Sequence, residues 1–352
     1  MGEIRKKAAA TLKRLSTRLA ADTTKLVYQR HPDLEARYGA IGREKCHEDA
    51  LYHLSFLIEA VSANSMVLFS DYVTWAQQVL ESRQIAVQDL HHHLVILKEV
   101  VAQHLPIDQY VLVANHLNAA VQQLAEKNNL PVEEPAPLTP LAETYLELLL
   151  SGSRKKATDH ILDQISAGVD IKQIYLDIFE PVQHRVGHLW QTNKISVAQE
   201  HFCTAVTQSV MSQLYPYIFG NERNGYRLIA TCVSGDLHEV GIRMVSDFFE
   251  MEGWDTYYLG ANVPVASLLQ TVRQQKPDLL LLSATMTFHI QLVARMIAAL
   301  RETEEFSYLK IMVGGRPFNV VPDLWKEIGA DGYSQNAQEA LAMALHLVTK
   351  KE

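Results

Sequence analysis

The feature that most constrains the fold of this chain is the alternation of apolar runs and amphipathic segments that begins at Tyr226. Four runs are each followed by an amphipathic segment, and a fifth, shorter run follows near residue 332: RLIATCV, WDTYYLG, DLLLLSAT, LKIMVGG and GYSQ. Short apolar runs that alternate with helices are typical of a parallel sheet covered by helices on both faces. We therefore predict an α/β domain over residues 223–352.

The loop after the first run carries a histidine and a carboxylate. It reads SGDLHEVG, so that Asp236, His238 and Gly241 lie between a strand and a helix. Ligands of such sheets bind at the carboxyl ends of the strands. A neutral imidazole is a common metal ligand, and a nearby carboxylate can fix its tautomer. Taken alone, such a pair is usually incidental.

Two other strand ends add to this prediction. Ser283 ends the third run and is followed two residues later by Thr285, and Gly314 and Gly315 end the fourth. A glycine pair lets a bulky ligand approach the backbone. The first strand is not followed by G-x-G-x-x-G, which disfavours a dinucleotide.

Together these residues resemble the cobalamin-binding domain of methionine synthases, mutases, corrinoid carriers and light sensors. The signature is D-x-H-x-x-G, S-x-L and G-G; here 41 residues separate Gly241 from Ser283, 28 separate Thr285 from Gly314, and Thr285 replaces the leucine. The resemblance implies a Rossmann-like, flavodoxin-like domain and a cobalamin whose cobalt takes His238 as lower axial ligand. It also implies that Asp236 holds the tautomer, and that Ser283, Gly314 and Gly315 line the slot for the displaced nucleotide tail.

Residues 144–222 have the length and helical pattern of the four-helix cap that precedes this domain in the same proteins. Trp190 is followed by nine residues and then by Glu200 and His201. This W-x9-E-H pattern resembles the adenosylcobalamin-dependent photoreceptors, which implies that Trp190 packs on the adenosyl group while Glu200 and His201 bind its ribose and base. A core tryptophan and an ordinary helix start are the alternative. Gln191 stands where the light-sensing repressors have a histidine, so a bis-histidine photoproduct is in doubt. Pro181 predicts a kink in the third helix of the cap.

A proline-rich linker, residues 131–143, separates the cap from a helical domain over residues 1–130, for which two of the helices are predicted near 86–104 and 108–127. Residues 43–130 hold five Lys or Arg against ten Asp or Glu, the wrong sign for DNA binding. Three interpretations remain open: a dimerising bundle, a globin-like haem domain that uses His53 or a histidine near 91–93, and a bilin-binding domain. The successive histidines 91–93 point about 100° apart, so they cannot ligate one metal together.

The whole architecture resembles the photocobilins, which combine adenosylcobalamin with biliverdin. Residues that suit a bilin by type and helical spacing are Arg43, Asp49, His53, Tyr72, Trp75 and Arg83. Cys46 offers a covalent attachment point, although a single cysteine on a helix is more often inert.

Bulk composition excludes several classes of protein. The net charge of −8 argues against nucleic acid or an anionic membrane as the main partner, and three widely spaced cysteines fit a reducing cytoplasm. The chain has no apolar run of membrane-spanning length, and no residue set resembles a catalytic dyad, so we expect a cytoplasmic protein that is not an enzyme. We predict a light sensor that binds adenosylcobalamin, with biliverdin as second chromophore, and that forms a homodimer with an unknown downstream partner. The alternative is a corrinoid methyl carrier of a methyltransferase system.

Overall fold

The computed structural model of the protein describes residues 2–127, 135–220 and 222–349. The chain divides into two compact units. The first comprises Met1–Val132 with the short segment Met286–Gln291, and the second comprises Glu133–Thr285 with Leu292–Glu352. Among the described residues, no helix is long and apolar enough to cross a bilayer.

Long helices build the first unit: α1 (Gly2–Arg30), α2 (Asp33–Ser62), α3 (Met66–Ser82), α4 (Val87–His104) and α5 (Ile107–Lys127). The helices predicted near 86–104 and 108–127 are confirmed. Gly39, at φ +63°, interrupts α2, and the side chain of Ser65 caps the first turn of α3 by accepting from Leu68 N. Local turn chemistry therefore sets the helix boundaries.

The segment Met286–Gln291 packs within the first unit. The Phe288 ring lies edge-on to Phe56, with centroids 5.3 Å apart. The Gln291 amide donates to the buried carboxylate of Glu59 at 3.2 Å, and the Gln291 side chain donates to Ser62 Oγ at 2.9 Å. A carboxylate at the first turn of a helix satisfies amides that have no partner inside the helix.

The second unit opens with a helical bundle. Its elements are α6 (Pro140–Leu150), α7 (Arg154–Ser166), α8 (Ile171–Ile174), a π-helical turn (Tyr175–Phe179), α9 (Glu180–Gln191), α10 (Val197–Gln213) and α11 (Tyr215–Ile218). The expected linker, residues 131–143, ends too late, because α6 begins at Pro140 with Thr139 as its N-cap. Proline is well tolerated at the first helical position. Residues 131–134 of that linker lie outside the described residues.

Pro181 accounts for the π-helical turn. Proline has no amide hydrogen and its ring clashes with the carbonyl four residues earlier, so a regular helix cannot pass through it unchanged. The irregularity expected at Pro181 takes the form of the turn Tyr175–Phe179 just before it. Tyr175 and Phe179 are buried in the bundle, together with Phe248 of the helix that follows the first strand, so bundle and α/β domain share one apolar core.

The predicted α/β domain is confirmed. Its strands are β1 (Arg227–Val233), β2 (Asp255–Val263), β3 (Leu279–Ser283), β4 (Lys310–Gly314) and β5 (Gly332–Tyr333). Its helices are α12 (Val240–Met251), α13 (Val265–Gln275), α14 (Ile290–Arg301), α15 (Arg316–Val320), α16 (Leu324–Glu327) and α17 (Ala337–Thr349), with 3-10 turns at Thr287–His289 and Glu304–Phe306.

All five strands are parallel, in the order β2-β1-β3-β4-β5. The chain moves from β1 to β2 on one side and returns to β3 on the other, so the order reverses next to β1. Loops at the carboxyl ends of β1 and β3 therefore border a crevice, where ligands of such sheets bind. The loop that carries Asp236 and His238 lies at this position.

Candidate functional site

The Asp236 carboxylate organises the loop between β1 and α12. It is 1% exposed. Its Oδ1 accepts from His238 Nδ1 at 2.8 Å and from the His238 amide at 3.0 Å, and its Oδ2 accepts from the Thr285 amide at 2.6 Å. Three donors satisfy this buried charge. The predicted Asp236–His238 pair is thus formed in the structure, and Thr285 joins it through its backbone.

The imidazole of His238 is held at one nitrogen and open at the other. Because Nδ1 donates to Asp236, Nε2 carries the lone pair in the neutral ring, and the side chain is 59% exposed. The hydrogen bond that His238 donates to Asp236 raises the pKa of His238, and partial desolvation of the imidazole lowers this pKa. The negative charges of Asp236 and Glu200 raise the pKa further. This arrangement suits a single axial metal ligand oriented by a carboxylate.

The strand ends next to the loop are shaped by glycine. Ser283 is the register partner of Gly314 across β3 and β4. Gly315 has φ +102°, and a Cβ there would lie 2.1 Å from Ala284 O, whereas a Cβ on Gly314 would meet only Ser334 O, at 3.5 Å. Gly241, in the first turn of α12, has open space where its side chain would be. The glycines keep this edge of the sheet free of side chains.

The bundle contributes a carboxylate to the site. Glu200 Oε2 lies 2.5 Å from His201 Nδ1, and its Oε1 accepts from Thr204 Oγ1 at 2.9 Å. Glu200 shares a face of α10 with Gln208, whose side chain donates to Glu239 of the loop at 3.2 Å, and its charge is among those that raise the pKa of His238. Trp190 lies in the last turn of α9 and is partly exposed.

The bilin candidates of the first unit fall into two groups. His53 and Tyr72 meet in the core, with Nδ1 and the hydroxyl 2.8 Å apart, and Trp75 lies 6.1 Å from the Tyr72 ring. Arg43 instead pairs with Glu35 at 3.1 Å, and Arg83 donates to Val79 O at the end of α3. The structure therefore brings His53, Tyr72 and Trp75 together, with Asp49 among the charges that raise the pKa of Tyr72, and engages both arginines elsewhere.

Burial shifts the pKa values of two further groups of the first unit, Asp49 and Cys46. It raises the pKa of Asp49 to about 6 and that of the Cys46 thiol to about 11, which leaves the thiol a poor nucleophile at neutral pH. His93 is buried, with Nδ1 3.7 Å from Cys46 Sγ, whereas His92 is partly exposed and stacks on His31 with ring centroids 4.3 Å apart. The consecutive histidines point to different environments, as the helical spacing predicts.

Sequence reasoning missed Glu239, which lies in the loop, and Gln208 of α10, which bonds to it. Glu239, next to His238, accepts from Gln208 of α10 at 3.2 Å and from the Ala261 amide at 2.9 Å. The spacing of Glu200, Thr204 and Gln208 by four residues was the available signal, because it puts them on one face of a helix.

The residues around His238 fit a cobalamin. A single oriented imidazole supplies one axial position, which suits a metal whose equatorial ligands come with its own macrocycle. Within the described residues, no group of three or more His, Cys, Asp or Glu side chains is arranged to hold a metal ion.

Comparison with known families identifies two matched regions, which lie in the second unit apart from the short segment Met286–Gln291. Residues 226–342 match a B12 binding domain, and residues 141–215 match a second family, also described as a B12 binding domain. The helical bundle and the α/β domain are thus matched separately, in the same order along the chain.

Relatives of this chain include corrinoid proteins of Methanosarcina species. Dimethylamine corrinoid protein 3 of Methanosarcina acetivorans is 26% identical over 210 residues, which are 59% of this chain and 97% of that protein. Dimethylamine corrinoid protein 3 of Methanosarcina mazei is 32% identical over 117 residues, or 33% of this chain and 68% of that protein. For dimethylamine corrinoid protein 2 of M. acetivorans, at 34% identity, the match spans about half of its length, 54%.

Among solved structures, the monomethylamine corrinoid protein of Methanosarcina barkeri superposes with a TM-score of 0.53 at 23% identity. The match covers 59% of this chain and 98% of that one. This similarity establishes a shared fold for the helical bundle and the α/β domain.

Proposed function

This chain belongs to the family of cobalamin-binding corrinoid proteins, and we propose that it is a methyl carrier in which His238 is the protein ligand to cobalt. The observation that carries the proposal is the Asp236–His238 pair at the carboxyl end of β1, with Nδ1 held at 2.8 Å and Nε2 free to ligate. The names of the relatives, methylamine corrinoid proteins, support methyl carriage over the light sensing expected from W-x9-E-H.

Each residue of the site has a defined task in this proposal. When bound, cobalamin supplies a cobalt that can accept a methyl group and pass it on. Asp236 keeps the His238 proton on Nδ1, so that Nε2 can ligate without losing a proton first. Ser283, Gly314 and Gly315 leave room at the strand ends for the nucleotide tail, and the bundle shields the opposite face from water.

Methyl carriage also implies protein partners. A carrier has to meet one protein that loads the methyl group and another that removes it, so we propose methyltransferases as the partners of this chain. The carrier then performs no substrate chemistry of its own.

Removal of the axial ligand tests the proposal. We expect His238→Ala to lose cobalamin on gel filtration and to show no nitrogen hyperfine splitting from a protein histidine in the spin-resonance spectrum of its cob(II)alamin form. Asp236→Ala removes only the orienting carboxylate and should weaken binding about 10–100-fold. Exposed His184→Ala on α9 is the matched control and should bind like the unaltered protein. Unchanged affinity and spectrum in His238→Ala would contradict the assignment.

A second candidate function is light sensing with adenosylcobalamin. The observation that favours it is the pairing of Glu200 with His201 on α10, the helix whose Gln208 bonds to Glu239, with Trp190 at the end of the preceding helix. Biliverdin as a second chromophore is supported only by the His53–Tyr72–Trp75 group of the first unit, where two aromatic rings and an imidazole meet. A homodimer that changes on illumination belongs to this candidate.

A further inference from the structure

Glu239, the residue after His238, is held by groups from two separate elements. Its Oε1 accepts from Gln208 Nε2 of α10 at 3.2 Å, and its Oε2 accepts from the Ala261 amide of β2 at 2.9 Å. Its backbone carbonyl lies 3.5 Å from the Tyr258 hydroxyl and accepts the Arg243 amide in the first turn of α12. A surface glutamate at the start of a helix does not need so many partners.

The end of β2 is shaped to receive this carboxylate. Gly260 has φ +76°, and a Cβ there would lie 3.0 Å from Glu239 Oε2. The pairing of β1 with β2 is irregular on both sides of Thr231, whose partner is Gly260 and whose hydroxyl donates to Gly260 O at 3.0 Å. The strand is thus distorted where the Ala261 amide turns toward Glu239. Irregular strand ends of this kind are common beside functional sites.

The remaining bonds of the loop come from the α/β domain itself. Asp236 fixes the imidazole and is bonded in turn to Thr285 N, and Cys232 Sγ lies 3.6 Å from the His238 carbonyl. The bond from Gln208 differs, because it comes from the bundle. Gln208 shares one face of α10 with Glu200 and Thr204, which bond to each other at 2.9 Å.

We propose that Glu239 is a positioning residue that couples the seating of helix α10 to the axial histidine, through its bond with Gln208. With α10 seated, the bond fixes the first turn of α12 and the loop that ends in His238. When α10 moves away, the bond is lost and the histidine is held less firmly. The inference rests on the proposed binding of cobalt by His238. It implies that the position of the bundle determines how firmly His238 is held, in addition to the shielding of the cofactor from water.

Exchange of the two side chains tests this coupling in the full chain. Gln208→Glu puts a second carboxylate against Glu239 and breaks the bond, whereas the double variant Gln208→Glu with Glu239→Gln restores a donor and an acceptor in exchanged positions. Glu239→Gln alone keeps the oxygen for Ala261 N, and the Gln208 amide can turn over to accept from it. Coupling between contacting residues is typically worth about a 3–30-fold change in affinity.

We expect Gln208→Glu to raise the dissociation constant for hydroxocobalamin within that range. The fraction of cob(II)alamin that shows histidine nitrogen hyperfine splitting should fall at the same time, since His238 is the group disturbed. The double variant should lie within about twofold of the unaltered protein. Gln208→Leu removes the donor without adding charge, and decides the outcome if Gln208→Glu fails to fold by circular dichroism.

Two results would overturn the coupling. In the first, Gln208→Glu and Gln208→Leu have the same hydroxocobalamin affinity and the same histidine hyperfine splitting as the unaltered protein. The other is weakened binding that the double variant does not restore, which would indicate a general packing defect. Absence of histidine splitting in the unaltered protein would contradict the ligand assignment itself, so the two failures are distinguishable.

Discussion

At the scale of single residues, the site depends on Asp236, which orients His238, and on Gly315, which has no side chain. Asp236 is buried and fully bonded, so the histidine ring has one orientation available. Gly315 has no side chain where one would collide with the neighbouring strand end. Asp236 orients the imidazole before any ligand arrives, which lowers the entropic cost of binding, and Gly315 permits the close approach of its backbone to Ala284.

The glycine pair permits a matched test of this view. Gly315→Ala forces a residue with Cβ into φ +102° and 2.1 Å from Ala284 O, so we expect a loss of at least about 2 kcal/mol of unfolding free energy. Gly314→Ala adds a methyl group at an ordinary contact distance of 3.5 Å from Ser334 O, and should cost less than about 1 kcal/mol. Urea unfolding of the ligand-free proteins measures both. Equal losses would mean that the backbone of Gly315 is not the constraint.

At the scale of elements, α12 connects the site to the bundle through a buried polar cluster. The Tyr175 hydroxyl of the π-helical turn donates to Asp247 Oδ2 at 2.7 Å, and Arg243 donates to Ser212 Oγ at 2.7 Å and to the Tyr215 hydroxyl at 3.2 Å. Burial raises the pKa of Asp247 to about 6, against the lowering effects of Tyr175 and Arg243. The helix that begins beside His238 is therefore docked by a polar cluster in which Asp247 has a pKa of about 6.

Asp247 gives a pH dependence with a definite sign. Its folded pKa, about 6, exceeds the unfolded value of 3.8, so the folded state keeps the proton in that interval and loses stability as the pH rises through about 6. The groups that face it are Tyr175, Tyr215, Arg243 and Glu250. Two pKa units correspond to a loss of up to about 3 kcal/mol. Asp247→Asn cannot ionise and still accepts from Tyr175.

We therefore expect Asp247→Asn to gain stability relative to the unaltered protein, by about 1–3 kcal/mol, between pH 4.5 and pH 7.5. Urea unfolding at several pH values in this range measures the difference. Exposed Asp159→Asn on α7 is the control and should follow the unaltered protein. A difference that does not vary with pH would show that Asp247 is ionised throughout.

At the scale of the molecule, the two units differ in what is known of their relatives. The second unit carries the matches to B12-binding families, whereas the first unit is described from its own residues. Both B12-binding matches lie between residues 141 and 342, in the second unit apart from the short segment Met286–Gln291. The first unit has a core of apolar side chains with the His53–Tyr72 pair inside it. The two candidate functions differ at this scale. The proposed light sensor changes its assembly on illumination, whereas the proposed methyl carrier requires no such change.

The two candidates predict opposite results in one experiment. For a methyl carrier, we expect the adenosylcobalamin-loaded full chain to keep its mass and elution volume after green light, by size exclusion with light scattering. A change of mass that disappears in Trp190→Ala would support the light sensor, because that variant removes the large apolar side chain proposed to contact the adenosyl group. Absorption spectra before and after illumination confirm that photolysis took place.

The sequence by itself determined the elements and the principal site residues. Apolar runs predicted β1, β3 and β4, because a strand buried on both faces needs a continuous apolar run. The strands β2 and β5 were predicted from the alternation with helices. The strand–loop–helix context placed Asp236 and His238 at the crevice, because parallel strands present their carboxyl ends at one edge of the sheet. These features are local, so a linear pattern can encode them.

The tertiary structure decided which distant groups complete the site. The partners of Asp236, Glu239 and Asp247 lie 49, 31 and 72 residues away, at Thr285, Gln208 and Tyr175. The limits of the linker and the register irregularity at Thr231 were also set by the fold. Periodicity reports which side of an element is buried, whereas a hydrogen bond between elements depends on where the packed core brings them together.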